Sequence, residues 1–258
     1  MTRGSLTVVG TGIAIGIHLT PQAREAIDAA DDLLHLAADP LADDWLGGLH
    51  PNAVSLRSQY RLGEARKAIY ERITEAILAP VRAGRSVCAA FYGHPAVFVT
   101  PSHEAVKRAR DEGYDARMLP AVSAEDCLFA DLGIDPGTVG CLSFDATDFL
   151  ISGRPIDTAT ALILWQITVI GDPTAVSRAR LDNVPILVER LAEHYPGDHE
   201  VIVYEASPYP IAAPVVERVP LQALPEAPLT PLSTLYVPPA RPSVADSEMA
   251  VRLGFSTH

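Results

Sequence analysis

The run Val87-Cys88-Ala89-Ala90-Phe91, cut off at once by Tyr92-Gly93-His94-Pro95, constrains this chain more than any other stretch. A short apolar run ended by Gly and Pro is a strand that cannot continue, because Pro lacks a ladder donor and Gly a packing side chain. Similar exits recur. Leu6 to Val9 leads into Gly10-Thr11-Gly12, Leu33 to Ala37 is closed by Asp39-Pro40, Val54 to Leu56 is a short strand, and Ala116 to Leu119 leads into Pro120. Helical signals lie between them. Thr20-Pro21 is a hydroxyl cap with Pro at the first helical position, opening a helix to about Ala30. Gly63 to Ala83 carries Leu62, Ala65, Ile69, Ile73 and Ile77 at helical spacing, with Pro80 kinking or ending it in the last turn. Thr100-Pro101 repeats the cap signal for a helix ending near Gly113. Strand and helix in alternation predict a mostly parallel sheet, whose ligands sit beyond the carboxyl ends of its strands.

After Pro120 the texture changes. Ser123 to Leu132 predicts a helix and Asp135-Pro136-Gly137 a turn. Strands are expected over Cys141 to Phe144, Phe149 to Ser152, Ala161 to Val169, Glu200 to Glu205, Val215 to Val219 and Thr234 to Val237. One strong helix, Val184 to His194, interrupts them. Many strands with few crossovers predict a mixed or antiparallel second sheet. The expected organisation is an α/β N-terminal domain over 1–119, an α/β C-terminal domain with a mixed sheet over 120–239, and an arm over 240–258. That arm is proline-rich and extended from Pro238 to Ser247, with a short helix over Glu248 to Leu253.

Composition removes several function classes. A chain of 258 residues that is 48% hydrophobic can bury a real core, and its net charge of −12 argues against nucleic acid and anionic membrane surfaces as partners. Cys88, Cys127 and Cys141 are odd in number and widely spaced, which supports neither a disulfide framework nor a zinc site. His18, His35, His50 and His103 have no metal-like spacing, so no metal is expected. No apolar run approaches membrane-spanning length and no signal peptide is present, which predicts a soluble cytoplasmic protein.

Three candidate constellations remain. Gly10, Gly12 and Gly16 do not have dinucleotide-loop spacing, and Asp39 is the only acid placed for a ribose. That loop is better taken as a tight strand exit. Tyr92 and His94 stand at the break after Phe91, either as catalytic groups or as parts of a turn. Tyr60, Arg66 and Tyr70 form the third set. Arg66 and Tyr70 are four apart on one helix face, and Tyr60 lies just ahead of that helix. Two phenols beside a guanidinium can handle a proton and hold an oxyanion; equally, an arginine can stack on surface tyrosines.

The opening Leu6 to Gly12, the exit Tyr92-Gly93-His94-Pro95 and the run Leu119-Pro120-Ala121-Val122-Ser123-Ala124 resemble the tetrapyrrole-methylase superfamily of S-adenosylmethionine-dependent methyltransferases. The runs Ala116 to Pro120, Val122 to Leu128 and Asp148 to Ile151, with the spacing Tyr60…Arg66…Tyr70, look more narrowly like the borosin peptide backbone α-N-methyltransferases, the group that includes the omphalotin-forming enzymes. The resemblance covers about Ser5 to Pro239. It implies two α/β domains with the donor in the cleft between them. It also implies a donor site at Tyr92, His94, Val97, Phe98, Ser123, Ala124, Gln166, Tyr204, Ser233 and Thr234. The implied catalytic set is Tyr60, Arg66 and Tyr70, with Tyr92 near the transferred methyl. Tyr60 would act as a phenolate base, Arg66 would lower its pKa and hold the carbonyl oxygen, and Tyr70 would donate a second hydrogen bond. S-adenosylhomocysteine is the product such a reaction leaves.

Two departures from the family pattern stand out. Arg57 and Gln59 occupy positions where the fungal enzymes would be expected to carry tyrosines. The chain given ends at His258 without an apolar core peptide, which implies either a separate precursor of leader plus core, as in split borosin systems, or a shortened chain. A homodimer is expected. The alternatives are methylation of a tetrapyrrole or another small molecule, and a donor-binding scaffold without turnover.

Overall fold

The computed structural model describes residues 4–175 and 178–255. The chain forms two compact units, Met1–Gly133 with Asp172–Ser177 and Glu205–Val215, and Ile134–Gly171 with Arg178–Tyr204 and Val216–His258. The expected domain limit at 119/120 falls one helix ahead of the division after Gly133.

In the first unit, strands β1 (Ser5–Gly10), β2 (Asp32–Leu36), β3 (Ala53–Ser55), β4 (Ser86–Phe91) and β5 (Asp115–Met118) alternate with helices α1 (Pro21–Asp28), α2 (Pro40–Gly47), α3 (Arg66–Arg82) and α4 (Thr100–Asp111); α5 (Ala124–Leu132) follows. The sheet order is β3-β2-β4-β1-β5 and every pairing is parallel. Both faces are covered, so β4 reads as a continuous apolar run rather than an alternating one. Val87, Ala89 and Phe91 face the core that holds Ile69, Ile73 and Ile77 of α3, whereas Cys88 and Ala90 face Ala23 and Ile27 of α1. Cys88 packs as a small hydrophobe, and burial pushes its thiol up to about 12. From β1 the chain crosses to β2 on one side, and from β4 it crosses to β5 on the other. The adjacent β1 and β4 therefore form a topological switch point, where crossovers diverge and leave a crevice at the carboxyl edge.

In the second unit, α6 (Pro136–Val139), β6 (Cys141–Asp145), α7 (Ala146–Ile151), β7 (Ala161–Trp165), α8 (Val184–Ala192), β8 (Glu200–Glu205), β9 (Val215–Pro220), β10 (Thr234–Val237) and α9 (Ser247–Arg252) follow in order. The sheet runs β6-β7-β10-β8-β9. It is mixed, with β6 parallel to β7 and β10 antiparallel to β7 and β8.

Several expected elements differ. Asp39-Pro40 does not merely close β2: Asp39 accepts from the Leu41 and Ala42 amides at 2.8 and 3.0 Å and starts α2. Phe149 to Ile151 is the end of helix α7, with Ser152 its C-cap, because Asp145 caps the helix through the Thr147 and Asp148 amides and Phe149 faces the core. The strand from Ala161 stops at Trp165, since Gln166 takes a left-handed φ of 59°. Asp135-Pro136-Gly137 is the capped start of α6 rather than a plain turn. Thr100 is the first residue of α4 and caps nothing.

Candidate active site

Three strand exits of the first unit meet at one point. Gly12 and Gly93 exchange backbone hydrogen bonds of 3.2 and 3.0 Å, which ties the exit of β1 to that of β4. A Cβ on Gly10 would lie 2.3 Å from the Gly93 oxygen and 2.6 Å from both Ala121 Cβ and Pro95 Cδ. Gly10 is therefore glycine because the exits of β4 and β5 close over it. The glycine loop is a packing device.

Beyond Gly93 the loop is clamped along its length. His94 Nδ1 accepts from the Ala96 amide at 3.0 Å, the Val97 amide donates to the His94 carbonyl at 3.1 Å, and buried Ser102 donates to the carbonyls of Pro95 and Val99. These bonds hold Phe98 at a φ of 55°, outside the range L-residues favour. Phe98 and Gln166 are the non-glycine residues with positive φ among those described. Strain of this kind persists where surrounding structure over-determines it, and it clusters at functional sites.

A cavity of about 700 Å³ opens beside this loop, at the carboxyl ends of β2 and β4 and the amino end of α3. Its polar lining comes from Arg57, Tyr60, Tyr70 and Tyr92, and its apolar walls include Leu36, Leu62, Phe91 and Phe98. The structure thus brings together Tyr60, Tyr70, Tyr92 and Phe98 from the sequence-predicted set. Tyr60 and Tyr70 face the same cavity, close enough for each phenol to feel the other. The short 3-10 turn Arg57–Gln59 that carries Tyr60 is fixed by Arg72, whose Nη2 donates to the Gln59 carbonyl at 2.9 Å and to Glu64 Oε2 at 2.5 Å.

The electrostatics differ from the sequence expectation. Tyr60 keeps 40% of its surface exposed, yet its phenol titrates above the ordinary range. Burial of the phenol oxygen is the largest cause, the neighbouring Tyr70 adds to it, and Arg66 only partly offsets them. The phenolate is therefore not the resting form. Tyr92 is likewise pushed up to about 12, first by burial and then by Cys127, Asp39 and Tyr209.

Arg66 acts in the expected direction, lowering the Tyr60 pKa, and is itself anchored on backbone. Its Nε donates to the Thr174 carbonyl at 3.0 Å and its Nη2 to the Asp172 carbonyl. The Arg66 amide meets the Pro173 carbonyl at 2.8 Å, and Gly63 and Glu64 pair with Ala175 on either side. Arg66 thus pins the segment 172–175 to the start of α3, and these donors are committed to backbone rather than to a ligand. No periodicity in the sequence announces a pairing across more than a hundred residues.

The remaining predicted donor positions divide between the units. Ser123 is buried and caps α5 in a reciprocal capping box with Asp126, and Ala124 opens that helix. In the second unit Thr234 pairs with Tyr204 across β10 and β8, and both are buried. Carrying the β10–β7 register past Leu235 and Leu164 sets Ser233 level with Gln166. Ser233, 1% exposed, accepts from the Thr230 amide at 2.8 Å. Gln166, Tyr204, Ser233 and Thr234 therefore share one edge of the mixed sheet. Among the described residues, no three His, Cys, Asp or Glu side chains gather as a metal site, and no helix is long and apolar enough to cross a membrane.

By architecture this is an α/β protein with a cavity beyond the carboxyl ends of β2 and β4 of a parallel sheet. Residues 5–222 match the family described as Tetrapyrrole (Corrin/Porphyrin) Methylases, and the chain belongs to that family. Its fold is that of the uroporphyrin-III-C-methyltransferase from Thermus thermophilus, with a TM-score of 0.64, 22% identity and coverage of 100% of this chain and 99% of that one. It is 41% identical over 242 residues to a methyltransferase/ribosomally synthesized cyclic peptide gymnopeptides precursor of Gymnopus fusipes, covering 92% of this chain and 57% of the relative. It is 40% identical over 256 residues to the methyltransferase/ribosomally synthesized cyclic peptide omphalotin A precursor of Omphalotus olearius, covering 97% and 61%. The chain therefore spans about three fifths of the length of these relatives.

Proposed function

We propose that this chain is an S-adenosylmethionine-dependent methyltransferase acting on backbone amide nitrogens of a ribosomal peptide, supplied as a separate precursor of leader and core, and that it works as a homodimer. The observation that carries the reading is a cavity lined by Tyr60, Tyr70 and Tyr92 together, in a chain about 40% identical to fungal proteins named as joined methyltransferases and cyclic-peptide precursors.

The donor, when bound, supplies a methyl on a sulfonium and leaves as S-adenosylhomocysteine. A sulfonium is a cation without hydrogen-bond donors, so aromatic faces and phenol oxygens suit it, and Tyr92 and Phe98 offer both. Retained in the proposal as donor positions are Tyr92, His94, Val97, Phe98, Ser123 and Ala124 of the first unit and Gln166, Tyr204, Ser233 and Thr234 of the second. That Phe98 and Gln166 are both strained supports their inclusion.

Peptide nitrogen is a poor nucleophile because its lone pair is delocalised into the carbonyl. The chain must therefore remove the N–H proton as the methyl arrives. Tyr60 is the proposed base. Its raised pKa makes the phenolate scarce, but that phenolate is a correspondingly stronger base for an amide proton. Tyr70, beside Tyr60 in the cavity, donates a second hydrogen bond to the amide oxygen. Arg66 lowers the Tyr60 pKa against the effect of burial and, anchored through Nε and Nη2 on the carbonyls of Thr174 and Asp172, is the cation proposed to hold the amide oxygen.

The test is co-expression of wild type and Tyr60→Phe with short peptides encoded beside the gene, read by intact-mass and fragment spectrometry. One-methyl steps on backbone nitrogens, lost in the variant, are expected. A peptide left unmodified by a protein that binds the donor would overturn the substrate, and methylation of a tetrapyrrole by the same preparation would identify the replacement.

A further inference from the structure

Tyr60 reaches the cavity from the 3-10 turn Arg57–Gln59, whose far end is held by Arg72 Nη2 on the Gln59 carbonyl at 2.9 Å. The near end is held by side chains from three elements. His35 and Ser55 are register partners in the parallel strands β2 and β3, and the first turn of α2 lays the partly buried Asp43 across both. Ser55 Oγ donates to the Asp43 carboxylate, 2.8 and 3.0 Å from its two oxygens. His35 Nδ1 lies 3.1 Å from Asp43 Oδ1, without the alignment of a hydrogen bond. The same Ser55 oxygen accepts from the Arg57 amide, the first of the turn, at 3.3 Å. Serine, aspartate and histidine side by side look like a nucleophile set, but the order is wrong for one. The serine proton goes to the carboxylate rather than to an imidazole, so the hydroxyl is not set up to attack.

Resting on the reading of this site as an amide methylase, we infer that Asp43 is a positioning residue for Tyr60, acting through Ser55 and the turn. The leading amides of so short a turn find no partner inside it, and a hydroxyl two residues ahead supplies one. A free serine hydroxyl turns among its staggered wells. Tied to a carboxylate, it presents its lone pairs to the Arg57 amide from one of them, and a hydroxyl that donates to an anion is the better acceptor. From there the path to Tyr60 is short. The Arg57 carbonyl accepts from the Tyr60 amide at 3.0 Å, and Leu56, 2% exposed, packs in the core while its amide donates to the His35 carbonyl at 2.8 Å. The turn is thereby fixed to β2 and α2 at one end and, through Arg72, to α3 at the other. Asp43 is not among the residues that line the cavity, so its part is indirect. A base displaced by about 1 Å from the proton it takes can lose a hundredfold in rate.

The experiment compares wild type, Asp43→Ala, Ser55→Ala, Ser55→Thr and Tyr60→Phe on the short peptide encoded beside the gene, with kcat and KM measured, donor affinity read by calorimetry and folding by thermal melting. Asp43→Ala and Ser55→Ala are expected to lose roughly ten- to a hundredfold in kcat, with KM and donor affinity unchanged. Ser55→Thr, which keeps the hydroxyl, should recover most of the rate. In the Tyr60→Phe background, Asp43→Ala should remove no more than about twofold further, because the group it positions is gone. Unchanged kcat in a stable Asp43→Ala overturns the inference, and so does a defect confined to KM or to donor affinity. A full second loss on top of Tyr60→Phe overturns it too, since Asp43 would then act elsewhere. If Asp43→Ala melts early, the serine pair decides: equal rates in Ser55→Ala and Ser55→Thr of equal stability refuse Asp43 the role. Absence of peptide methylation by the wild type, or a Tyr60→Phe as fast as the wild type, would sink the underlying reading instead.

Discussion

The two sheets solve the same problem, placing polar side chains at a strand edge, by opposite means. In the first unit all five strands point one way, so every carboxyl end opens on the same edge and the loops can cross-brace, as Gly12 does with Gly93. Candidate side chains there sit on loops and turns: the phenols of Tyr60 after a 3-10 turn and of Tyr92 after β4, and the apolar ring of Phe98 on a clamped loop. In the second unit the antiparallel β10 lies between β7 and β8, and the candidate residues are in or next to paired strands. Tyr204, Ser233 and Thr234 are all nearly inaccessible. Parallel edges concentrate exposed chemistry in loops. Mixed edges bury it in the ladder.

The largest expected effect breaks the cross-brace. Gly10→Ala puts a methyl 2.3 Å from a carbonyl oxygen and against two further rigid groups, none of which is the free end of a flexible side chain. Overpacking at such a point should cost roughly 3 kcal/mol. Gly153→Ala, in the second unit, meets nothing within 4 Å and bears only a left-handed φ of 56°, a penalty of about 1 kcal/mol. Thermal melts of the two variants should therefore differ plainly. Equal losses would mean that the exits of β1, β4 and β5 yield more readily than their contacts imply.

Next in size is the pH response of the phenol pair. Because burial raises the Tyr60 pKa, the phenol stays protonated at and above neutrality, and the ionised fraction grows about tenfold per pH unit below that pKa. Methylation limited by this base should rise with pH, without levelling off below about pH 10. The residual rate of Tyr60→Phe should be nearly flat. A plateau near neutrality in the wild type would show that something lowers the phenol more than burial raises it.

How much of this was legible in the sequence follows the same division. The parallel sheet could be read because each exit announces itself: Phe91 is followed by Tyr92-Gly93-His94-Pro95, and Met118 by Leu119-Pro120. Tyr60, Arg66 and Tyr70 could be read because four-residue spacing on a helix is a local fact. The start of α2 was also available in Asp39-Pro40, which is as good a helix opening as a strand ending. The Phe149 segment was ambiguous, since four apolar or small residues fit a strand or one helical turn equally well. What no local pattern encodes is the long-range pairing of 172–175 with 63–66, and with it the anchoring of Arg66 Nε and Nη2 on that segment.

A smaller effect compares the two strained residues. Replacing Gln166 by Gly removes a left-handed penalty of about 1 kcal/mol while deleting the side chain proposed to meet the donor, so the variant should melt no earlier than wild type yet bind S-adenosylmethionine more weakly. Phe98→Gly should lose affinity as well, with its stability gain offset by the exposed apolar wall. Unchanged donor affinity in both would remove the strained pair from the binding site.

The smallest effect separates a cap from a ligand contact. Ser123 accepts from the Asp126 amide at 3.1 Å, and Asp126 returns the bond to the Ser123 amide at 2.7 Å, so the hydroxyl has a complete structural explanation. Ser123→Ala should then cost about 1 kcal/mol, while Ser123→Asn, a good cap in its own right, should cost only a few tenths. Donor affinity distinguishes what stability cannot. If the serine is only a cap, affinity follows stability and Asn restores both. If the hydroxyl also touches the donor, Asn restores the melt and leaves binding weak, because the amide is larger and points its acceptor at the helix. Calorimetric titration of the three proteins with S-adenosylmethionine makes that choice, and it also tests whether the first unit's buried serine behaves like its loop-borne neighbours or like the ladder-buried Ser233 of the second.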